Sequence, residues 1–290
     1  MLTARYEAPR SVHDAVQLLA RDPAAQIFAG GTDLLIQVRA GAKSPSAFVD
    51  VKGIPELVGI VVTDREVRIG AAASAAAICE HDVVRREWPG LVEAVHLIGS
   101  TQIQGRGTLG GNLCNASPAA DGTCSLIVNR AVCTIAGPRG EREVPAEQFC
   151  TGPGRTVLEK GELLVAVRLP RPALRTSDAY LRLIPRSEMD IAVAGAGVSL
   201  TLDADGFCTA ARVAIGAVAP TAFLVPEAAG ALVGTNLDNP ALARAADAAS
   251  AAARPIDDKR GTASYRRRVV GVLVARAVRQ AAARAREKKA

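Results

Sequence analysis

Aromatic residues are scarce: five Phe, three Tyr and one Trp make up 3% of the 290 residues. Reading single-stranded nucleic acid needs stacking platforms, and so few rings leave little surface for it. No stretch approaches the run of about 20 apolar residues that a membrane-spanning helix requires. The first ten residues mix charge and polarity with no apolar core of a secretion signal, so a cytoplasmic chain is expected. Six cysteines, Cys79, Cys114, Cys124, Cys133, Cys150 and Cys208, form no C-x-x-C pair. Zinc and iron–sulfur sites draw on closely spaced thiolates, so no metal site is expected, only reduced thiols. His13, His81 and His96 lack metal spacing and are read as surface or satisfied side chains.

What is present describes a folding chain. Hydrophobic residues form 49% and charged residues 22%, close to an ordinary globular protein. The formal charge of +6 is unevenly spread: from Arg254 onward twelve Lys or Arg face three Asp or Glu, a net +9, which leaves −3 for residues 1–253. The basic character belongs to the tail, where Arg266 to Arg268 read as a solvated helix face or a docking surface for an acidic partner. No nucleic-acid-binding module accompanies it.

Periodicity gives a mixed pattern. Ser11, with Asp14 three residues on, starts an amphipathic helix whose stripe is Val12, Ala15, Val16 and Leu19. Gln26 to Ala29 is a short strand, and Thr32 or Asp33 would cap the helix suggested by Leu34, Leu35 and Val38. Val58 to Val62 and Val67 to Ile69 read as a hairpin about Thr63-Asp64, and Ser74 begins an alanine-rich helix ending before Pro89. Trp88 is read as a packing residue. Residues 99–122, with six glycines and many small polar side chains, read as a long functional loop. Ala131 to Ala136, Glu141 to Val144 and Leu163 to Leu169 read as strands, the last stopped by Pro170. Pro170-Arg171-Pro172 marks a domain boundary. Beyond it Ile191 to Leu202 and Phe207 to Val218 form a hairpin, followed by helices near Pro226 to Val233, Pro240 to Ala253 and Thr262 to Arg286. In the last helix Val269, Val270, Leu273, Val274, Ala277 and Ala281 share a face that Arg267, Arg268, Arg276 and Arg279 mostly avoid. Without regular βαβ alternation the fold class is α+β.

Two glycine loops carry the chemistry. Ala29-Gly30-Gly31-Thr32-Asp33-Leu34-Leu35 sits between a strand and a helix start, where glycine lets backbone N–H groups approach a phosphate. It has neither the G-x-G-x-x-G spacing of a dinucleotide fingerprint nor the G-K-[ST] ending of an NTPase loop, and alone such a Gly-Gly is most simply a turn. Gly107-Thr108-Leu109-Gly110-Gly111-Asn112 repeats the idea and adds a hydroxyl and an amide. Asp121, nine residues later, offers a carboxylate suited to ribose hydroxyls. A diphosphate held between the two loops accounts for both at once. Cys114 lies among them and is read as a small inert filler rather than a reactive thiol.

The runs AGGTDLL (29–35), IGSTQIQGRGTLGGNLCNASPAAD (98–121), GELL (161–164), RSEMDIAV (186–193) and PIDDKRGTASYRRRVV (255–270) resemble the FAD-binding subunit of molybdenum-containing hydroxylases. That family includes the medium subunit of carbon monoxide dehydrogenase and the flavin subunit of bacterial xanthine dehydrogenase. The resemblance implies a two-part FAD domain of the vanillyl-alcohol-oxidase (PCMH) type in residues 1–172, split near residue 55, and a small α/β C-terminal domain with an antiparallel sheet and helices in 173–290. It implies that Ala29, Gly30, Gly31, Thr32, Asp33 and Leu34, with Thr108, Gly110, Gly111 and Asn112, bind the FAD diphosphate. Asp121 would serve the adenosine end, and Leu164 and Arg182 the vicinity of the flavin. Arg182 departs from a lysine of some members, and Ile98 replaces an aromatic of the flavin wall.

The same resemblance implies an electron-transfer subunit with no catalytic acid or base of its own. Molybdenum cofactor on a large subunit and [2Fe-2S] clusters on a small one would deliver electrons, within a heterotrimer or a dimer of heterotrimers, and NAD, a quinone or oxygen would accept them. Two other classes stay open: a stand-alone flavin oxidase of the same superfamily, and a noncatalytic nucleotide-binding assembly protein.

Overall fold

The computed structural model describes residues 4–288. Its first unit is β1 (Arg5–Glu7), α1 (Val12–Arg21), β2 (Gln26–Phe28), α2 (Leu34–Arg39) and β3 (Ala47–Asp50), with the strands in the order β1-β3-β2 and both pairings parallel. Ser11 caps α1, its hydroxyl oxygen accepting from the Asp14 N–H at 3.1 Å, and Ala15, Val16 and Leu19 are buried as the stripe predicts. Asp33 occupies the cap position of α2, but its side chain makes no cap bond.

The second unit begins with α3 (Pro55–Val58), β4 (Ile60–Val62) and β5 (Glu66–Gly70). Val58 therefore ends a helical turn instead of opening the hairpin. The alanine-rich segment is two helices, α4 (Ala75–Glu80) and α5 (Asp82–Glu87), broken at His81, whose Nδ1 accepts from the Val84 N–H at 3.5 Å. Pro89 starts α6 (Pro89–His96), since its fixed φ suits a first helical position, and Trp88 before it is 1% exposed. The glycine-rich stretch contains a 3₁₀ turn (Thr101–Ile103) and α7 (Leu109–Cys114), and α8 (Asp121–Val128) begins at its end. Strands β6 (Val132–Gly137) and β7 (Gly140–Pro145), helix α9 (Ala146–Phe149), the small pair β8 (Cys150–Gly152) and β9 (Arg155–Thr156), and β10 (Leu163–Pro170) complete the unit.

The second sheet runs β4-β5-β10-β6-β7, antiparallel throughout, with β10 at its centre: Val167 faces Ile69 on one side and Cys133 on the other. Ile69, Leu91, Leu109 and Ile135 are fully buried around it, each contributing roughly 1.5–3 kcal/mol through apolar burial.

The chain passes to a third sheet at β11 (Thr176–Leu183), followed by β12 (Ala194–Leu202), β13 (Cys208–Gly216) and β14 (Phe223–Leu224), antiparallel in that order. Sequence periodicity misses β11, because two of its buried positions are Ser177 and Asp178 and polar residues blur the alternation. Ile191 stays outside β12 and is half exposed. Helices α10 (Pro226–Gly230), α11 (Asn239–Ala252) and α12 (Ala263–Glu287) follow; α12 packs on β11 and β12, and α11 packs on α12 and α10. Arg267, Arg268, Arg276 and Arg279 are exposed as expected. Arg266 is not part of a solvated face: it is 3% exposed, donating to the Val193 carbonyl at 2.8 Å and to Asp258 at 2.6 Å.

Candidate functional site

A cleft of about 450 Å³ opens between the first unit and the second sheet, within the 300–1,000 Å³ usual for cofactor sites. Ala29, Gly30, Gly31, Thr32, Asp33 and Leu34 line it from the β2–α2 loop, and Thr108, Gly110, Gly111 and Asn112 from the start of α7. Leu164 enters from β10 and Ile98 from the turn after α6. The two glycine loops abut: a Cβ placed on Gly30 would lie 2.1 Å from the Arg106 carbonyl oxygen. Only a residue without a side chain permits that approach. Gly31 has φ +75°, and a Cβ there would meet the Phe28 ring at 2.5 Å. Lys52, 4.3 Å over the same ring, and Phe48, edge-on at 5.6 Å, fix the floor beneath it.

The loops differ in what they leave for a ligand. None of the backbone N–H groups of Gly30, Gly31, Thr32, Asp33 and Leu34 donates to a group among the described residues. Five successive donors on a cleft wall suit an anion. In the second loop the N–H of Gly110 goes to the Ala71 carbonyl at 3.1 Å, that of Gly111 to the Thr108 hydroxyl oxygen at 3.0 Å and that of Asn112 to the Thr108 carbonyl at 3.0 Å. Its side chains add two further polar groups, the Thr108 hydroxyl and the Asn112 amide. The second loop thus commits the N–H groups of Gly110, Gly111 and Asn112 internally and adds a hydroxyl and an amide beside them, as expected from its sequence.

Residues that sequence reasoning passes over complete the wall. Gln37 donates to the Asn115 Oδ1 at 2.9 Å, tying α2 to the end of α7. Lys43 stands at the rim within 3.5 Å of Gln26. Lys160 and Glu162 also line the cleft, and Glu162 pairs with Arg142 at 2.7 Å. Glu162 stands inside the GELL run and Asn115 inside NLCNASP, so the signal for both was adjacency to a recognised motif. Burial pushes the Cys114 thiol up to about 12, which makes it an inert wall residue. Among the described residues no group of His, Cys, Asp and Glu is arranged to hold a metal ion, and no helix is long and apolar enough to cross a membrane.

Asp121 and Arg182 do not line the cleft. They face each other at 2.6 Å, with side chains 8% and 6% exposed. The two residues thus meet in one buried contact, whereas the resemblance implies separate places for them, the adenosine end for Asp121 and the vicinity of the flavin for Arg182. The Asp121 carboxylate also accepts from the Tyr180 hydroxyl at 2.9 Å. Burial nevertheless raises its carboxyl to about 6, against the lowering influence of Arg182 and Tyr180.

Residues 2–172 match the family model described as "FAD binding domain in molybdopterin dehydrogenase", and residues 179–281 match "CO dehydrogenase flavoprotein C-terminal domain". The chain is 38% identical to the carbon monoxide dehydrogenase medium chain of Afipia carboxidovorans over 97% of each. It is 36% identical to a xanthine dehydrogenase FAD-binding subunit of Escherichia coli over 75% of each. Among solved structures it superposes on a chain of reconstituted CO dehydrogenase from Oligotropha carboxidovorans with a TM-score of 0.93 at 37% identity, covering 97% of this chain and 98% of that one.

Proposed function

Because the chain belongs to the family carrying the FAD-binding domain of molybdopterin dehydrogenases, we propose that its cleft holds FAD within a larger redox enzyme. The chain is an oxidoreductase subunit, and residues 1–172 and 173–290 are read as its FAD-binding and C-terminal domains. The observation that carries the reading is the run of N–H groups from Gly30 to Leu34 on the cleft wall, unpartnered among the described residues. Such donors match the oxygens of a diphosphate. The Thr108 hydroxyl and the Asn112 amide approach from the other loop, and Ile98 and Leu164 supply an apolar wall for a ring system. FAD, when bound, supplies two-electron and one-electron redox chemistry in one group.

The residues of this chain then bind, orient and shield the cofactor; none is placed as a general acid or base. Substrate oxidation belongs to a large molybdenum-cofactor subunit and electron delivery to a small [2Fe-2S] subunit, in a heterotrimer or a doubled one, within the cytoplasm. NAD, a quinone or oxygen is the final acceptor.

The test is to purify the chain, add FAD and follow flavin absorption and fluorescence quenching. Stoichiometric binding is expected, with flavin reduction by substrate only once the large and small subunits are added. Failure to bind FAD rejects the reading of the cleft. Direct reduction by an organic substrate rejects the subunit assignment.

A further inference from the structure

Asp121 opens α8 in the FAD-binding half, whereas Tyr180 and Arg182 stand on β11 in the C-terminal half. Arg182 donates to Oδ2 of Asp121 at 2.6 Å and the Tyr180 hydroxyl to Oδ1 at 2.9 Å. The contact has been given room. Gly195 on β12 lies opposite Arg182, and a Cβ there would come within 2.7 Å of the Tyr180 hydroxyl oxygen.

The network continues toward the cleft. The N–H of Gly122, next after Asp121, donates to Oδ1 of Asn112 at 3.2 Å. That bond occupies the acceptor end of the Asn112 amide and leaves its NH₂ end, on a residue of the cleft wall, for a ligand. A Cβ on Gly122 would approach the same Asn112 oxygen at 3.1 Å, so the two segments are in close contact.

We propose that Tyr180 and Arg182 are positioning residues through which the C-terminal half sets the orientation of the Asn112 amide, and so the strength with which the cleft holds its dinucleotide, without touching it. The inference rests on the reading of the cleft as an FAD site. A buried pair of this kind is costly to desolvate and suits a specifying role better than a purely stabilising one.

A double-mutant cycle on the full chain separates this role from direct contact. FAD dissociation constants are measured by fluorescence quenching for the native chain, Arg182→Met, Asn112→Ala and the double variant, with thermal midpoints of the FAD-free forms. Each single change should weaken FAD about tenfold, and the double variant no further than the worse single one, because both cut the same chain of contacts. Tyr180→Phe removes one hydroxyl only; it should weaken FAD about threefold in the native background and not at all beside Asn112→Ala. Losses that multiply to about a hundredfold would make Arg182 an independent ligand and overturn the proposal. Unchanged affinity in both Arg182→Met and Tyr180→Phe would overturn it equally. A native chain that binds no FAD rejects the function reading itself, a result distinct from either.

Discussion

Asp178, on the first strand of the C-terminal sheet, caps a helix of the other half of the molecule: its carboxylate accepts from the backbone N–H groups of Gly90 at 2.9 Å and Leu91 at 3.1 Å. The approach is close, since a Cβ on Gly90 would meet the Ala179 backbone nitrogen at 2.6 Å. Asn129 adds a third donor at 2.7 Å. Asp178→Ala leaves these buried donors unpaired, and a loss on the order of 3 kcal/mol is expected from the cap and the desolvated groups together. Chemical denaturation followed by circular dichroism checks it; a loss below about 1 kcal/mol would show that water replaces the carboxylate.

Gly30→Ala places a methyl group where the Arg106 carbonyl oxygen stands 2.1 Å away. Backbone must yield on one side, and the N–H run from residue 30 to 34 shifts with it. FAD affinity should fall at least about tenfold with the circular dichroism spectrum retained. Gly111→Val works differently: its Cβ meets the Thr108 hydroxyl oxygen at 2.6 Å and dislodges that cap. It should lower FAD occupancy and the thermal midpoint together.

Acid should release FAD before it unfolds the chain. Asp121 titrates near pH 6 in the folded state, above the ordinary carboxylate value of about 3.9. The folded state therefore binds this proton more tightly than the unfolded one, so the group favours folding increasingly as pH falls through about 6. The charge that holds Arg182 is lost over the same interval. Tyr180 and Arg182 from β11, and Cys124 from α8, are the titratable groups facing it. FAD affinity measured from pH 7.5 to 5 should decline with a midpoint near 6, while Asp121→Asn should be weak and flat throughout. A native profile without that decline contradicts the assignment.

All six cysteines are free thiols. Burial pushes Cys79, Cys150 and Cys208 up to about 11 and Cys114 and Cys124 up to about 12, and it raises Cys133 as well. Thiolate is the reacting form, so an aromatic disulfide reagent at pH 8 should label the native chain slowly and all six sites after denaturation. Rapid labelling of Cys114 in the native chain would show that the cleft wall opens.

How far the sequence discloses this arrangement depends on whether a feature is local. Caps at Ser11, Ser74 and Thr262 are legible because hydroxyl and N–H lie three residues apart, whereas the helix capped by Thr108 is hidden in a stretch whose glycines read as loop. The glycine loops are legible because a strand leads into Gly30-Gly31 and a second Gly-Gly pair recurs at Gly110-Gly111 beside a hydroxyl and an amide. What escapes is set by contacts distant in sequence. Arg266 looks solvated in a run of three arginines, yet carbonyl groups of Val193 and Ala217 draw it inward. Strand β11 hides because Asp178 is polar for the sake of α6, and nothing near Asp121 in the chain announces its pairing with Arg182.

The donors from Gly30 to Leu34 are peptide groups, and peptide groups are encoded by no particular side chain. A saturation scan across the first loop should therefore be steep at Gly30 and Gly31, where the course of the main chain is decided, and shallow at Thr32 and Asp33, whose side chains add little to it. Recognition of this sort does not titrate, and most codon changes leave it untouched.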